Sequence, residues 1–278
     1  MKLFMVIDNS EILPLFYEKT QIKLNVMISY HYLRGQASRL TKKYRDKINL
    51  LYLDSGAFSA STGISKITVN EYLGYLKSYG HLFDAVFNFD DEFENPEHNM
   101  ENQNTLERGL AGTGIKPVPV VHDLKDPYGE FEGYAEAGHD FIAIGSNRPL
   151  TDEEHYKIKE AYPKVKIHMF GNFRRKMLFT HKPFSADSAA YADEAGTGNI
   201  LYWDPIDNKE YGIYVGERDR KGTGSIHFKK FPHRKNLEKF LLKTFKYTYE
   251  DLLTSVESKW IVNIYFFTEV EKIINRSK

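Results

Sequence analysis

Two aspartates stand where an apolar segment gives way to small residues. Asp54 ends the apolar run 50–54 and precedes Ser55-Gly56-Ala57, and Asp187 lies in the segment Ser185-Ala186-Asp187-Ser188. The small neighbours leave room for a ligand beside each carboxylate, although an aspartate in such a place also initiates turns. Two carboxylates that face one pocket suit chemistry at the anomeric carbon of a sugar. One attacks or stabilises the cationic centre, and the other exchanges protons with the leaving group.

Two more acidic residues follow another apolar run. Asp90 and Asp91 are adjacent, and neighbouring residues of a strand face opposite ways, so only one of them can enter a shared pocket. Asn88 and Asp90 are expected on one face, which favours Asp90. A carboxylate there could accept two N–H groups from the edge of a purine such as guanine. An acidic loop tip is the alternative interpretation.

A histidine and two glycines end further apolar runs. His122 has no second histidine at metal-ligand spacing, so we interpret it as a polar or stacking contact within a pocket. Gly145 and Gly171 are either ordinary loop glycines or positions where the backbone brings N–H groups up to a ligand. We predict no metal site, and no cofactor because the chain has no cysteine with which to build a zinc site.

The elements that must position these residues recur in a regular order. Short apolar runs alternate with amphipathic stretches, which predicts parallel strands joined by helical crossovers. Eight runs qualify as strands: 3–7, 24–29, 50–54, 84–90, 116–122, 140–145, 165–170 and 183–187. A doubly wound open sheet is the main competitor, but no Gly-x-Gly-x-x-Gly turn follows an early strand. Eight strands favour a (β/α)8 barrel of the TIM type, in which all strand ends named above converge on one face.

Six helices are predicted between these strands. They cover residues 35–44, 68–79, 97–110, 128–137, 151–161 and 172–178. Two starts are well marked, because Thr68 with Glu71 and Thr151 with Glu154 each form the pattern of a capping box.

Composition excludes several classes of protein. The 278 residues contain no cysteine, which rules out a disulfide framework, a thiolate nucleophile and a zinc site with thiolate ligands. No apolar run approaches the roughly 18 residues of a membrane-spanning helix, and no secretory signal opens the chain. We expect a protein of the cytoplasm, without a membrane partner. Oligomeric state has no signal in the sequence.

Charge is segregated although the net charge is zero. The segment 84–107 has eight acidic and no basic residues, whereas 218–246 has ten basic and two acidic ones. A basic segment with interleaved phenylalanines suits a polyanion such as nucleic acid, and a solvated surface is the plain alternative. We predict a barrel over residues 1–204 and a basic, partly helical extension over 205–278 that packs on it. Its predicted nucleic-acid contacts are Lys229, Lys230, Arg234 and Lys235, and the lysines at 239, 243 and 246 extend the basic side of the same helix.

Taken in order, these segments resemble the tRNA-guanine transglycosylase superfamily over roughly residues 24 to 205. Asp54-Ser55-Gly56-Ala57-Phe58 resembles the Asp-Ser-Gly-Gly-Phe motif of that family, and Phe89-Asp90-Asp91-Glu92 resembles its Phe-Asp-Glu segment. Ile144-Gly145-Ser146 falls where the family has Gly-Gly-Leu, and Met169-Phe170-Gly171 resembles its Met-Gly strand end. Asp187 falls where the family keeps its nucleophile.

The resemblance implies a barrel enzyme that exchanges guanine for a 7-deazaguanine. It implies that Asp187 attacks the sugar, that Asp54 is the general acid and base, and that Asp90 reads the base. The substrate-binding residues implied or expected are Asp90, Asp91, His122, Gly145, Ser146, Gly171 and Phe58.

Departures from the family pattern indicate which members of the family the chain resembles most. The tRNA enzymes carry a Cys3His zinc site that a chain without cysteine cannot build. Ala57 and Ser146 replace glycines, and His122 stands where the tRNA enzymes have glutamine. The chain is similar in these respects to zinc-less relatives encoded by phages and modification islands, which insert 7-deazaguanines into DNA. The host cytoplasm would then be its location.

The leading hypothesis is therefore a transglycosylase that places a preQ0-like base in DNA through a covalent aspartyl–sugar intermediate. A tRNA enzyme of the same kind is one alternative. A nucleoside or DNA-base hydrolase would use the same two carboxylates. A non-catalytic nucleic-acid-binding protein on a degenerate barrel is the alternative outside enzymology.

Overall fold

The computed structural model describes residues 1–33, 37–57, 67–122, 127–145, 151–171, 175–219 and 224–277. The chain forms two compact units. The first comprises Met1–Asp8 and Asn25–Ser188, and the second comprises Asn9–Leu24 and Ala189–Lys278. Helix α1 (Ile12–Thr20) follows the first strand and belongs to the second unit.

The first unit is a barrel of parallel strands. They are β1 (Lys2–Val6), β2 (Leu24–Ser29), β3 (Ile48–Asp54), β4 (Ala85–Phe87), β5 (Pro117–Val118), β6 (Val120–Val121), β7 (Phe141–Ile144), β8 (Lys166–Met169) and β9 (Ser185–Ser188). Their order is β5-β4-β3-β2-β1-β9-β8-β7-β6. Pro119, which has no N–H to give, separates β5 from β6, so one interrupted strand pairs with β4 on one side and β7 on the other. The predicted (β/α)8 barrel is confirmed.

Helices lie between the strands of the barrel. They are α2 (Tyr30–Leu33), α3 (Ala37–Lys43), α4 (Val69–Tyr79), α5 (Pro96–Leu110), α6 (Pro127–Glu136), α7 (Asp152–Ala161) and α8 (Arg175–His181). Short 3₁₀ turns cover Arg45–Lys47 and Gly80–Leu82. Both predicted capping boxes are present, at Thr68 and at Thr151.

The alternation of side chains along the strands fills the barrel in layers. A core layer contains Phe4, Met27, Tyr52, Phe87, Val120 and Ala143. The residue two positions further along a strand lies one layer higher, because successive side chains point to opposite faces. Asp54 therefore lies one layer above Tyr52, and Gly145 lies one layer above Ala143. Asp54 and Gly145 line a cavity. The stacked rings of Phe4 and Tyr52, 3.9 Å apart, close the floor beneath it.

The second unit joins α1 to the chain after the barrel. It contains α9 (Ala190–Gly196), β10 (Asn199–Asp204), β11 (Lys209–Tyr214), β12 (Ile226–His227), a 3₁₀ turn (Phe228–Lys230), α10 (Arg234–Phe245), α11 (Tyr249–Thr254) and α12 (Val256–Arg276). The three strands form a sheet in the order β10-β11-β12. Helix α1 packs against α10 and α12, and it buries Ile12, Leu13 and Phe16.

The predicted basic helix is α10. Leu237, Leu241 and Phe245 are buried along one face of it, as their helical spacing predicts. The predicted domain boundary between 204 and 205 falls at the end of β10, inside the second unit. Among the described helices, none is both long and apolar enough to cross a bilayer.

Candidate functional site

A cavity of 370 Å³ opens at the carboxyl ends of the barrel strands. Its size and its position are those of a small-molecule site in this fold. Its lining consists of Val6, Met27, Ser29, Asp54, Ala57, Asp90, Phe93, His122, Gly145, Phe170, Gly171 and Asp187. Six of the predicted residues therefore meet in one place: Asp54, Asp90, His122, Gly145, Gly171 and Asp187.

Asp54 ends β3 and is held by the turn that follows it. The backbone N–H of Gly56 donates to its Oδ2 at 3.1 Å, and the hydroxyl of Ser29 donates to the same carboxyl group. Gly56 has a φ of +77°, and a Cβ there would lie 2.7 Å from the Cβ of His31, so glycine is required. Burial, with repulsion from Asp90 and then Asp187, raises the pKa of Asp54 from 3.8 to about 7.

Asp187 is buried on β9 and is held by different donors. Its Oδ1 accepts from the backbone N–H of Gly171 at 3.0 Å and lies 3.2 Å from Nε2 of His168. His168 is itself fully buried, and its Nδ1 lies 2.8 Å from the hydroxyl oxygen of Ser185. The hydroxyl of Ser185 also bonds to Tyr52. A buried polar chain thus runs from the core of the barrel to the carboxylate of Asp187.

His168 was not among the residues predicted from the sequence. It is an isolated histidine in the apolar run 165–170, and no second histidine lies at the spacing of a metal-ligand pair. Its partner Asp187 lies 19 residues further along the chain. Strand alternation was the available signal, because it places His168 on the same face as Phe170 and beneath the strand ends.

Asp90 and His122 form a pair on one wall of the cavity. Nε2 of His122 lies 2.5 Å from Oδ2 of Asp90, and the hydroxyl of Ser55 donates to Oδ1 of Asp90 at 3.4 Å. The backbone N–H of His122 donates to Glu130 at 3.0 Å. The ring of Phe93 lies 4.4 Å from the His122 ring, with 32° between the planes. This wall offers a carboxylate, an imidazole and an aromatic face to a planar ligand.

Asp91 points away from the cavity. Its Oδ1 lies 3.0 Å from Nε2 of His98 and accepts from Asn102 at 3.0 Å, and both partners belong to α5. Strand β4 ends at Phe87, so strict alternation does not extend to Asp90. The expected shared face of Asn88 and Asp90 is therefore absent: Asn88 donates to the backbone of α5, while Asp90 lines the cavity.

The two cavity glycines do not direct free N–H groups at a ligand. The N–H of Gly145 donates to the carbonyl of Val121 at 3.0 Å, and the N–H of Gly171 donates to Asp187. A Cβ at residue 145 would lie 3.1 Å from the ring of His122, so Gly145 leaves space for that ring. The predicted residues Phe58 and Ser146 lie outside the described residues.

The predicted nucleic-acid contacts lie in the second unit and three of them have partners. Lys230 pairs with Asp219 at 2.5 Å, and Arg234 pairs with Glu238 at 3.2 Å. Lys229 lies over the ring of Tyr249, 5.2 Å from its centre. Lys235 is exposed.

One group of side chains in the described part of the chain has the spacing of metal ligands. Asp204, Asp207 and His233 each bring one atom within 4.8 Å of the others. Asp204 is bonded to Nδ1 of His233, and this hydrogen bond raises the pKa of His233. The hydrogen bond between Asp204 and His233 holds these two side chains together.

Comparisons with known proteins bear on the fold. The sequence matches no protein-family model and no curated protein. Its structure is similar to the crystal structure of a "putative fructose-1,6-biphosphate aldolase" from Coccidioides immitis, with a TM-score of 0.55 and 13% sequence identity. The match covers 99% of this chain and 93% of the other. At this identity the likeness supports the barrel architecture alone.

Proposed function

We propose that this protein is a transglycosylase that exchanges guanine for a 7-deazaguanine base in a polynucleotide. The observation that carries the proposal is the pair Asp54 and Asp187, which share one cavity in contrasting surroundings. Asp54 has a pKa raised to about 7, whereas Asp187 accepts hydrogen bonds from a backbone N–H and a buried imidazole. A proton donor and an oriented nucleophile are the two groups that a double displacement at a sugar carbon requires.

The first displacement releases guanine. A carboxylate oxygen of Asp187 forms a bond to C1′ of the target nucleotide while the bond from C1′ to the base breaks, and its electron pair leaves with the base. Asp54 supplies a proton to the departing guanine. A carboxyl group with a pKa of about 7 still holds that proton near neutral pH, where an ordinary aspartate has lost it.

The second displacement inserts the new base. Asp54, now ionised, removes the proton from the ring nitrogen of the incoming 7-deazaguanine. That nitrogen attacks C1′ and the ester bond to Asp187 breaks, which restores both carboxyl groups. Two inversions retain the configuration at C1′.

The wall formed by Asp90, His122 and Phe93 is the proposed base-recognition surface. The carboxylate of Asp90 would accept N–H groups from the edge of a guanine, and Nε2 of His122 pairs with that same carboxylate. The Phe93 ring offers a face for stacking beside it. Asp91 takes no part in this surface, since it is bonded to α5.

We favour DNA over tRNA as the polymer. The resemblance to the zinc-less DNA-modifying relatives supports this choice, and the absence of cysteine from the chain is consistent with it. The target nucleotide must leave its stack to reach a cavity of this size, so a single-stranded or flipped base is required.

The direct test is incorporation of a radiolabelled 7-deazaguanine into DNA by the purified protein. We expect incorporation by the wild type and none above background with Asp187→Ala. Incorporation by Asp187→Ala at the rate of the wild type would refute the proposal. Parallel reactions with tRNA decide between the two polymers.

Product analysis separates exchange from hydrolysis. The same two carboxylates would serve a hydrolase if water took the place of the incoming base. Mass spectrometry of the DNA should show a substituted base and no accumulation of abasic sites. If abasic sugar is the main product, the reaction is hydrolysis and not base exchange.

A further inference from the structure

A second cavity, of 560 Å³, lies within the second unit between β10, α10 and α12. Aromatic side chains form much of its wall: Trp203, Phe240 and Tyr265. The Phe240 ring lies 5.7 Å from that of Tyr265 and 5.3 Å from that of Tyr202, so these three rings adjoin one another. Such a surface is large enough to receive a planar ring.

The charge of this cavity is positive. Lys239 and Lys243 stand one helical turn apart on α10, and both are exposed at its wall. Neither has an ion-pair partner among the described residues. Glu269, also in the wall, is already bonded to Lys272 at 2.7 Å. Two ammonium groups without an ion-pair partner in the described part of the chain therefore face the opening. The carboxylate of Glu269 is paired with Lys272 and does not neutralise them.

Lys239 and Lys243 differ from the other basic residues of the segment in that both line the cavity and neither has an ion-pair partner among the described residues. Lys230 and Arg234 are bonded to Asp219 and Glu238, so a phosphate would have to displace a carboxylate to reach them. Binding at Lys239 and Lys243 breaks no such pair. The nearby amide of Asn236, exposed on the same helix, offers hydrogen bonds to the edge of a base.

We propose that this cavity binds a single-stranded segment of nucleic acid, with bases stacked on Trp203 and Tyr265 and phosphates at Lys239 and Lys243. Aromatic faces combined with free cations are the features by which proteins hold unpaired strands without reading their sequence. A duplex keeps its bases inside and would leave the aromatic wall unused. The proposal rests on the proposed function only in taking nucleic acid as the polymer.

The test uses the full chain and tryptophan fluorescence. The chain has two tryptophans, Trp203 and Trp260. Trp260 has a buried Nε1 atom without a hydrogen-bond partner, so Trp260→Phe loses no hydrogen bond and leaves Trp203 as the reporter. Titration of this variant with a short oligothymidylate should quench the fluorescence of Trp203, because a stacked base lies against its ring.

Two variants remove the two proposed contributions. Lys239→Glu with Lys243→Glu should lower the log–log slope of affinity against salt by about 1.4, from about 0.7 for each phosphate on a single strand. Tyr265→Ala should weaken binding about 5- to 150-fold, the effect of losing one stacked base. The matched control is Lys23→Glu with Lys77→Glu, two exposed lysines outside the cavity that give the same change of charge. This control should bind with wild-type affinity and slope.

Several outcomes would overturn the proposal. These are an unchanged Trp203 signal at saturating oligonucleotide, equal losses in the charge variant and its control, or equal affinity for duplex DNA. Thymidine monophosphate that binds as tightly as the oligonucleotide would indicate a free-nucleotide site instead. Asp187→Ala separates the two proposals, because it should bind the oligonucleotide normally while base exchange is lost. Binding without any exchange by the wild type would refute the proposed function alone.

Discussion

Asp54 and Asp187 have the same side chain in different surroundings. Burial and then the repulsion of two carboxylates raise the pKa of Asp54 to about 7, and the hydrogen bonds that it receives offset this only in part. Asp187 is more buried but accepts from Gly171 and His168. In the proposed mechanism these surroundings would make Asp54 the acid and Asp187 the nucleophile, a division that residue type alone cannot specify.

Asp54→Asn should abolish exchange and stabilise the fold in alkaline solution. The pKa of Asp54 is higher in the folded chain than in the unfolded chain, so folding is favoured fully below pH 3.8 and the benefit is lost as pH rises through about 7. We expect the variant to exceed the wild type by about 1 to 3 kcal/mol at about pH 8 and by little at about pH 4. Urea denaturation at both pH values measures this.

The exposed Asp140 supplies the control for that experiment. Asp140→Asn should change the free energy of unfolding by no more than about 0.5 kcal/mol in either measurement, because the side chain and its ion pair with Lys166 lie on the surface. A pH-independent effect of Asp54→Asn would show that the carboxyl group titrates normally.

His168 is expected to act as a positioning residue for Asp187. Replacing it with phenylalanine keeps the ring volume but removes the contacts to Asp187 and Ser185. We expect kcat for exchange to fall about 10- to 150-fold with little change in KM, since a hydrogen bond to a charged group contributes about 1.5–3 kcal/mol. His168→Gln, which retains a side-chain N–H, should recover part of this loss.

His155 is the matched control for His168. It is equally buried, and neither ring nitrogen has a hydrogen-bond partner. Burial lowers its pKa to about 4, so it is neutral in the folded chain. His155→Phe should therefore leave kcat unchanged, and an equal loss in both variants would reduce the role of His168 to packing.

At the scale of secondary structure, one buried asparagine joins three elements of the second unit. Asn263 on α12 accepts from the backbone N–H of Leu201 at 2.7 Å. Its amide donates to the carbonyls of Tyr191 and Asn199 at 3.0 and 3.2 Å. Helix α12 is thereby fixed to β10 and to α9, in a place where water does not reach the side chain.

Asn263→Ala should destabilise the protein by about 2–4 kcal/mol, because it leaves backbone groups of two neighbouring elements without partners. The midpoint of chemical unfolding reports the loss. Asn104→Ala, an exposed helical asparagine, should shift stability by no more than about 0.5 kcal/mol. Similar values for the two would mean that the Asn263 network adds nothing.

Much of the barrel could be predicted because buried parallel strands are nearly continuous apolar runs. All eight predicted runs contain a strand, and six predicted helices are present. Helix α1 was not predicted: Pro14 lies inside it, and Glu11 at its start makes no capping hydrogen bond. The pairing of Arg234 with Glu238 could have been anticipated from their spacing of four residues. The contact of His168 with Asp187 could not, because it depends on how two strands align.

At the scale of the whole molecule, the second unit draws on two separated parts of the chain. Helix α1 buries Ile12, Leu13 and Phe16, and its neighbours α10 and α12 come from residues 234–276. A chain that ends after residue 204 would contain α1 without those neighbours.

We therefore expect a chain of residues 1–204 to expose the apolar face of α1. It should bind a hydrophobic dye, aggregate at concentrations where the full chain stays monodisperse, and unfold at lower temperature. A chain that lacks only residues 277 and 278 is the control and should behave as the full chain does. A soluble, cooperatively folding 1–204 would show that α1 does not depend on the later helices.

The split second unit also sets an order of events during synthesis. Helix α1 leaves the ribosome early, yet the helices that cover it follow roughly 200 residues later. At about 5–20 residues per second, its apolar face waits about 10–40 s for them. Strands β2 to β9 are made within that interval, so the strands of the barrel are complete while the apolar face of α1 is still uncovered. We therefore expect chaperones that bind exposed apolar side chains of nascent chains to contact Leu13 and Phe16 during this interval.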